Sequence, residues 1–191
     1  DFDVELLSAD AAGFRAQMQH LRAHYTPLRF RDVLAAQDAG RALPRNGVVV
    51  TFDDGYDDNH DVAFPILREL GMPATFFVST GHIDSGQPYA FDWVAHAIMV
   101  GKPGPVSLPL LGLDAELGAS RSARRRLVAR ALDRLKALAG EQQQQAMAEV
   151  AGACGVGPPR PHANSRPMRW EQVRAMHEAG MEIGSHGVHH R

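Results

Sequence analysis

Residues 47–60 read GVVVTFDDGYDDNH, and no other stretch constrains the fold as strongly. Val48, Val49, Val50, Thr51 and Phe52 make an unbroken β-branched and apolar run. Such a run, with no polar alternation, suits a central strand of a parallel sheet that is buried on both faces. It ends in two carboxylates, Asp53 and Asp54, and then Gly55. In open α/β sheets and α/β barrels, chemistry gathers at the carboxyl ends of strands. Two acids therefore stand where an active site would form.

Asp-Gly is also a common turn pair, and Asp and Asn commonly cap helices. Asp57, Asp58 and Asn59 are read in that way, as caps or solvated acids at the start of the next helix. Asp53 and Asp54 resist that reading. Adjacent carboxylates repel and raise one another's pKa unless a cation lies beside them. At the end of a buried strand a metal ion is the usual offset.

A matching set of donors lies at the other end of the chain, where residues 181–191 read MEIGSHGVHHR. A short strand from Met181 to Gly184 runs into Ser185 and His186, and His190 follows four residues on. Imidazole and carboxylate together suit zinc or a similar divalent ion. One Asp with two His, leaving positions open for water, is a catalytic type of site rather than a closed structural one. His-x-x-x-His alone is a weak signal. After one strand, and paired with Asp-Asp-Gly after another, it is much stronger.

TFDDG followed by SHGVHH resembles the first two motifs of the polysaccharide deacetylases, the NodB-homology carbohydrate esterases of family four. The resemblance implies that Asp53 is the catalytic base and that Asp54, His186 and His190 bind the metal, most simply zinc. It implies an α/β fold, a distorted (β/α) barrel with fewer than eight strands. It also implies hydrolysis of N-acetyl groups on an amino-sugar polysaccharide of N-acetylglucosamine type, with release of acetate. Gly187 departs from the family's Ser or Thr after the first His, which removes a hydroxyl and is expected to loosen the loop. His189 adjoins His190; His190 keeps the family spacing from His186.

The 191 residues, 45% hydrophobic, suffice for one domain with a real core. A net charge of −2 gives no basic field that calls for a nucleic-acid partner. The single Cys154 forms no intramolecular disulfide and fits no Cys-based zinc pattern. No apolar run approaches the roughly 18–20 residues of a membrane helix. The expected partner is an acetylated polysaccharide or oligosaccharide.

Along the chain, Asp1–Leu7 reads as a strand or arm. Ser8 or Asp10 caps a helix to about Tyr25, with Phe14, Met18, Leu21 and Tyr25 on one face. His20 and His24 on that helix read as a solvated pair. Leu28 and Phe30 suggest a short strand, and residues 31–39 a helix closed by Gly40. A helix from about Asn59 to Leu70 carries Pro65 as a flaw, and Gly71 closes it. The PATFFVS run at 73–79 is a second strand, so strand, helix and strand make a parallel βαβ unit.

Residues 82–166 read as a mostly helical insertion within a single domain of residues 1–191. Its expected helices span 91–100, 121–139 and 141–153. Gly101–Pro109 reads as Pro/Gly-rich loop, and Gly155–Pro167 as a proline-rich linker. Arg124, Arg125 and Arg126 read as a solvated helix face. Trp170, opening a helix over 168–179, reads as core rather than as a sugar platform.

The family's later motifs supply an Arg beside the base, a groove wall and a general-acid His, and none has a match here. The expectation is therefore the N-terminal part of such a barrel, from a longer natural protein. Three competitors stay open: a non-catalytic metal- or glycan-binding module, a same-fold amidase for a small cyclic amide, and an Asp-nucleophile phosphatase. The last needs a second acid two residues on, where this chain has Gly55.

Overall fold

Asp10 begins the first helix. Its side chain accepts from the Gly13 N–H at 2.7 Å, and α1 runs over Ala11–His24. The computed structural model describes residues 9–162 and 165–190; the Asp1–Leu7 segment lies outside them. His20 and His24 are exposed on α1, ring centroids 4.5 Å apart.

The strand expected at Leu28–Phe30 is displaced. β1 is Thr26–Pro27, and Phe30 already opens α2 (Phe30–Asp38). The cause lies 152 residues away, where the Glu182 carboxylate accepts the Phe30 N–H at 2.7 Å and the Arg31 N–H at 3.3 Å. A carboxylate placed on the first N–H groups of a helix nucleates it there.

The apolar run of 48–52 is divided. β2 (Gly47–Val48) pairs in parallel with β1, and β3 (Thr51–Phe52) pairs in parallel with the next strand. Val49 and Val50 are where the chain changes neighbours. The Val48 carbonyl accepts from Leu28 and the Val50 carbonyl from Thr75. The run is half-buried, not buried on both faces, and β3 stands at the edge of its sheet.

Pro65 is accommodated because the helix is two pieces. A π-helical turn (Asn59–Ala63) precedes α3 (Phe64–Leu70), which puts Pro65 in the first turn of α3, where its missing N–H costs nothing. Asp58 makes no side-chain cap bond, and Asn59 is buried rather than capping. Gly71, at φ 63°, ends α3.

β4 (Thr75–Val78) follows and is the central strand; α4 (Thr80–Ser85) comes directly after it. Phe76 is fully buried and stacks on Phe52 at 4.7 Å, with Phe14 edge-on to Phe52 at 5.8 Å. Leu67, Met72 and Met176 are among the most deeply buried residues of this core.

The described residues divide into two compact units, one within Gln87–Ser165 and one within Leu7–Gly86 and Arg166–Arg191. The first holds α5 (Ala90–Val100), β5 (Gly104–Leu108), β6 (Leu113–Leu117), α6 (Arg121–Lys136) and α7 (Gly140–Ala153) around its own apolar cluster. The expected loop at 101–109 is instead half of an antiparallel hairpin with Gly104 opposite Leu117. Val106, Leu108, Leu113 and Leu117 face inward at alternate positions, and a 3₁₀ turn over Pro109–Leu111 closes it at Gly112.

Arg124 is no solvated residue. It is 8% exposed, and its guanidinium donates to the carbonyls of Ile98, Met99, Gly101 and Gly118 at 2.7–3.0 Å. It closes the carboxyl end of α5, whose last carbonyls have no partner inside the helix.

The sheet unit resumes with α8 (Trp170–Glu178) and β7 (Glu182–Ser185). β7 pairs in parallel with β4, Phe77 opposite Gly184 and Val78 opposite Ser185. Val173 and Met176 turn inward. Trp170 does not: it is 38% exposed, and its Nε1–H donates to Asp84 Oδ1 at 2.7 Å. The main layer is thus three parallel strands in the order β3-β4-β7, and the described strands form no closed barrel.

Candidate metal site

The sheet points the ends of β3 and β7 at one place. At the end of β3, the Gly55 N–H donates to the Asp53 carbonyl at 2.9 Å across a turn whose centre, Asp54, has φ 72°. That is the γ-turn of positive φ, which is rare and strained for a residue with a side chain. It is held from both sides. The Ser79 N–H donates to the Asp54 carbonyl at 3.0 Å, and the Met168 N–H to the Gly55 carbonyl at 2.8 Å. Gly55 (φ 91°) lies so close to Val78 that a Cβ would stand 3.2 Å from Val78 Cγ1. The strand end is therefore clamped, and Asp54 is turned inward while Asp53 stays exposed.

At the end of β7, the His186 N–H donates to the Val78 carbonyl at 2.8 Å, which continues the β4–β7 pairing by one residue. His190 sits at φ 55°, in the left-handed region. The result is a cluster of three donors. His186 Nε2 lies 3.3 Å and His190 Nε2 3.1 Å from Asp54 Oδ1, and one ligand atom from each residue lies within 4.8 Å of the others. His189 is outside this group; its ring packs over Gly81. Gly187 has φ 79°, a region where Ser or Thr would be strained, so the glycine suits the turn. The loop is not loose: its Gly187 and Val188 carbonyls accept from Thr80 and Gly81 at 3.1 and 2.8 Å.

These donors fit a small divalent ion. Ligands about 2.0–2.1 Å from zinc in a tetrahedron stand about 3.3 Å apart, and the two nitrogen–oxygen separations here are 3.3 and 3.1 Å. Side-chain exposures of 17% for Asp54, 35% for His186 and 36% for His190 leave one face of the cluster open to water. Burial pushes the Asp54 carboxyl above its ordinary value; His190 and His186 pull it back, Asp53 adds to the rise and His82 opposes it. A buried acid in that position is relieved by a cation.

Sequence reasoning missed three contributors. His82, on α4, is near enough for its charge to act on Asp54. Ser79 is fully buried and donates from its hydroxyl to the His186 carbonyl at 3.4 Å. Gly81 receives the His loop. All three follow β4, and a reader of sequence could have looked there, since the carboxyl end of every neighbouring strand faces the same place. A cavity of about 330 Å³ lined by Arg29, Leu67, Met72, Pro73, Gly180 and Met181 lies among residues that precede β4 and β7, at the opposite end of the sheet from the cluster.

Parallel strands ending in an open Asp/His/His cluster mark an α/β protein with a set of donors that could hold a divalent ion. The chain belongs to the polysaccharide deacetylase family, whose model matches residues 40–191. It is 35% identical over 75 residues to the poly-β-1,6-N-acetyl-D-glucosamine N-deacetylase of Escherichia coli K12, covering 39% of this chain and 11% of that protein. It is 36% identical over 84 residues to the enzyme of that name from Staphylococcus epidermidis, covering 44% of this chain and 29% of that one. The chain thus spans less than a third of either relative. In fold it is similar to the Streptococcus pyogenes deacetylase PplD in complex with acetate, with a TM-score of 0.50, 18% identity, 98% of this chain and 51% of that chain covered.

Proposed function

We propose that this chain carries the metal centre and base of a hydrolase that removes N-acetyl groups from an amino-sugar polysaccharide of N-acetylglucosamine type. The observation that carries the reading is the convergence of Asp54, His186 and His190 on one small volume beside an exposed second carboxylate. The names of the related proteins support the substrate class. The parallel β3-β4-β7 layer then forms part of a distorted (β/α) barrel, with residues 82–166 inserted after its second strand.

Asp54 Oδ1, His186 Nε2 and His190 Nε2 would hold the ion, zinc by donor type. When bound, it supplies Lewis acidity, which polarises an amide carbonyl and brings the pKa of a water from about 15.7 towards about 7. Asp53 does a different job from Asp54. It lies outside the donor set, keeps its carboxylate exposed, and takes the proton of the attacking water as general base. The ion would offset the charge of Asp54, and Asp53 would stand beside it outside the donor set. The clamped γ-turn holds the backbone on which both acids stand, through the Ser79 bond to the Asp54 carbonyl and the Met168 bond to the Gly55 carbonyl. Exclusion of water from Ser79 and Gly55, both buried, keeps the inner side of the cluster dry.

The deciding measurement is metal content of the purified chain by elemental analysis, beside His186→Ala, followed by acetate release from a poly-β-1,6-N-acetylglucosamine oligomer. About one zinc per chain, lost in the variant, is the expected outcome. Folded wild type that takes up no divalent metal would sink the reading.

A further inference from the structure

We infer that Gly81 is a positioning residue for the metal site: its missing side chain is the seat on which the loop between the two histidine ligands rests. The inference rests on the metal reading above and extends it to a residue outside the donor set.

Three consecutive carbonyls of that loop are received by three consecutive residues after β4. The His186 carbonyl accepts from the Ser79 hydroxyl at 3.4 Å, the Gly187 carbonyl from the Thr80 N–H at 3.1 Å, and the Val188 carbonyl from the Gly81 N–H at 2.8 Å. Thr80 and Gly81 open α4, so these N–H groups have no partner within the helix. The loop uses them in place of water. Residues 187–189 are the whole span between His186 and His190, so whatever seats that span fixes both imidazoles at once.

The seat admits only glycine. A Cβ on residue 81 would stand 2.7 Å from the Val188 carbonyl oxygen, 2.8 Å from His189 Nδ1 and 2.9 Å from His189 Cε1. The first of these is backbone and cannot rotate away. Gly81 lies in α4 without a positive φ, so backbone freedom is not what requires glycine there. Close approach is. Alanine at 81 must therefore push Val188 and His189 outward and carry His190 with them. A ligand displaced by a few tenths of an ångström costs affinity, since bond lengths to zinc vary by only about 0.2 Å.

Gly86 provides the control. It ends the same helix at φ 64°, and a Cβ there meets nothing within 4 Å. Gly86→Ala strains α4 without touching the loop.

The experiment measures zinc affinity by chelator competition for wild type, Gly81→Ala and Gly86→Ala, and amide hydrogen exchange at residues 80 and 81 in the metal-free protein. Gly81→Ala is expected to bind zinc roughly 10–100-fold more weakly, the usual loss when support outside the ligands is removed, and to exchange faster at residues 80 and 81. Gly86→Ala is expected to bind within about threefold of wild type. Wild-type affinity in Gly81→Ala, or an equal loss in Gly86→Ala, overturns the inference. Wild type that binds no zinc overturns the metal reading instead; the metal-free exchange still judges the seat, and unchanged protection at residues 80 and 81 in Gly81→Ala overturns it. Should Gly81→Ala not fold, wild type decides: zinc slows exchange at Thr80 and Gly81 if their bonds hold the ligand loop, and unchanged rates overturn it.

Discussion

At the scale of the residue, Asp54 works against the fold that holds it. It occupies a positive-φ backbone conformation, its carboxyl is half-buried, and Asp53 adds a like charge. A pKa raised in the folded state means that the neutral acid is favoured by folding. That contribution is complete below about pH 3.8, the ordinary value, and is lost as pH rises through the folded value. Asn stays neutral and tolerates positive φ better than most residues. Asp54→Asn is therefore expected to raise the melting temperature of the metal-free chain at pH 7, with about 2–4 °C for each kcal/mol gained. The gain shrinks towards pH 3.8. With zinc at 100 times its Kd, wild type gains about 2.7 kcal/mol that the variant lacks, so the order reverses. Thermal melts at two pH values, with and without zinc, read all of this. Asp53→Asn should behave differently, keeping zinc and losing acetate release by roughly 10²–10⁴-fold. Elemental analysis beside an acetate assay separates the two carboxylates.

At the scale of the element, two charged side chains do what the chain's periodicity does not disclose. Arg124 lies in a run of three arginines on an amphipathic helix, and nothing in that pattern distinguishes it from Arg126, which is exposed. Yet it satisfies four carbonyls around the end of α5. Arg124→Ala is expected to cost about 2–3 kcal/mol, through buried carbonyls left unmet, and Arg126→Ala less than about 0.5 kcal/mol; denaturant midpoints compare them. Glu182 is the second case. Burial raises its carboxyl, but bonds from Arg31, Thr75 and the Phe30 and Arg31 N–H groups more than offset this and hold it below the ordinary value. Its stabilisation is therefore present above about pH 4.5 and lost as pH falls through the folded value. Glu182→Ala should melt well below wild type at pH 6, by about 1–3 kcal/mol, and the gap should narrow by pH 3.

Elements whose local pattern agrees with their final partners are legible from sequence alone: α1 with its Asp10 cap, β4 with its apolar run, α8 and β7. Those that depend on distant partners are not. The α2 start needs Glu182, the split of the 47–52 run needs both β1 and β4, and the β5–β6 hairpin is masked by Pro105 and Pro109. The site shows the same division. Asp54, His186 and His190 carry recognisable chemistry at recognisable spacing. Gly81 carries none, because what matters there is an atom it lacks.

At the scale of the whole molecule, the described residues enclose two separate apolar clusters, one under β3-β4-β7 and one between α5, α6, α7 and the β5–β6 hairpin. The donor set belongs wholly to the first. A ligand that binds only the folded form stabilises the cooperative unit that holds its site. Zinc should therefore slow amide exchange in β4, β7 and α4, and leave α5, α6 and α7 unchanged. Cavities test the same division. Leu67 and Ile98 are both fully buried, one in each cluster. Leu67→Ala and Ile98→Ala should each cost about 2–5 kcal/mol, and each should lower exchange protection in its own cluster. Loss of protection spread evenly over both clusters in either variant would show one cooperative unit. Zinc would then protect α5 as strongly as β4.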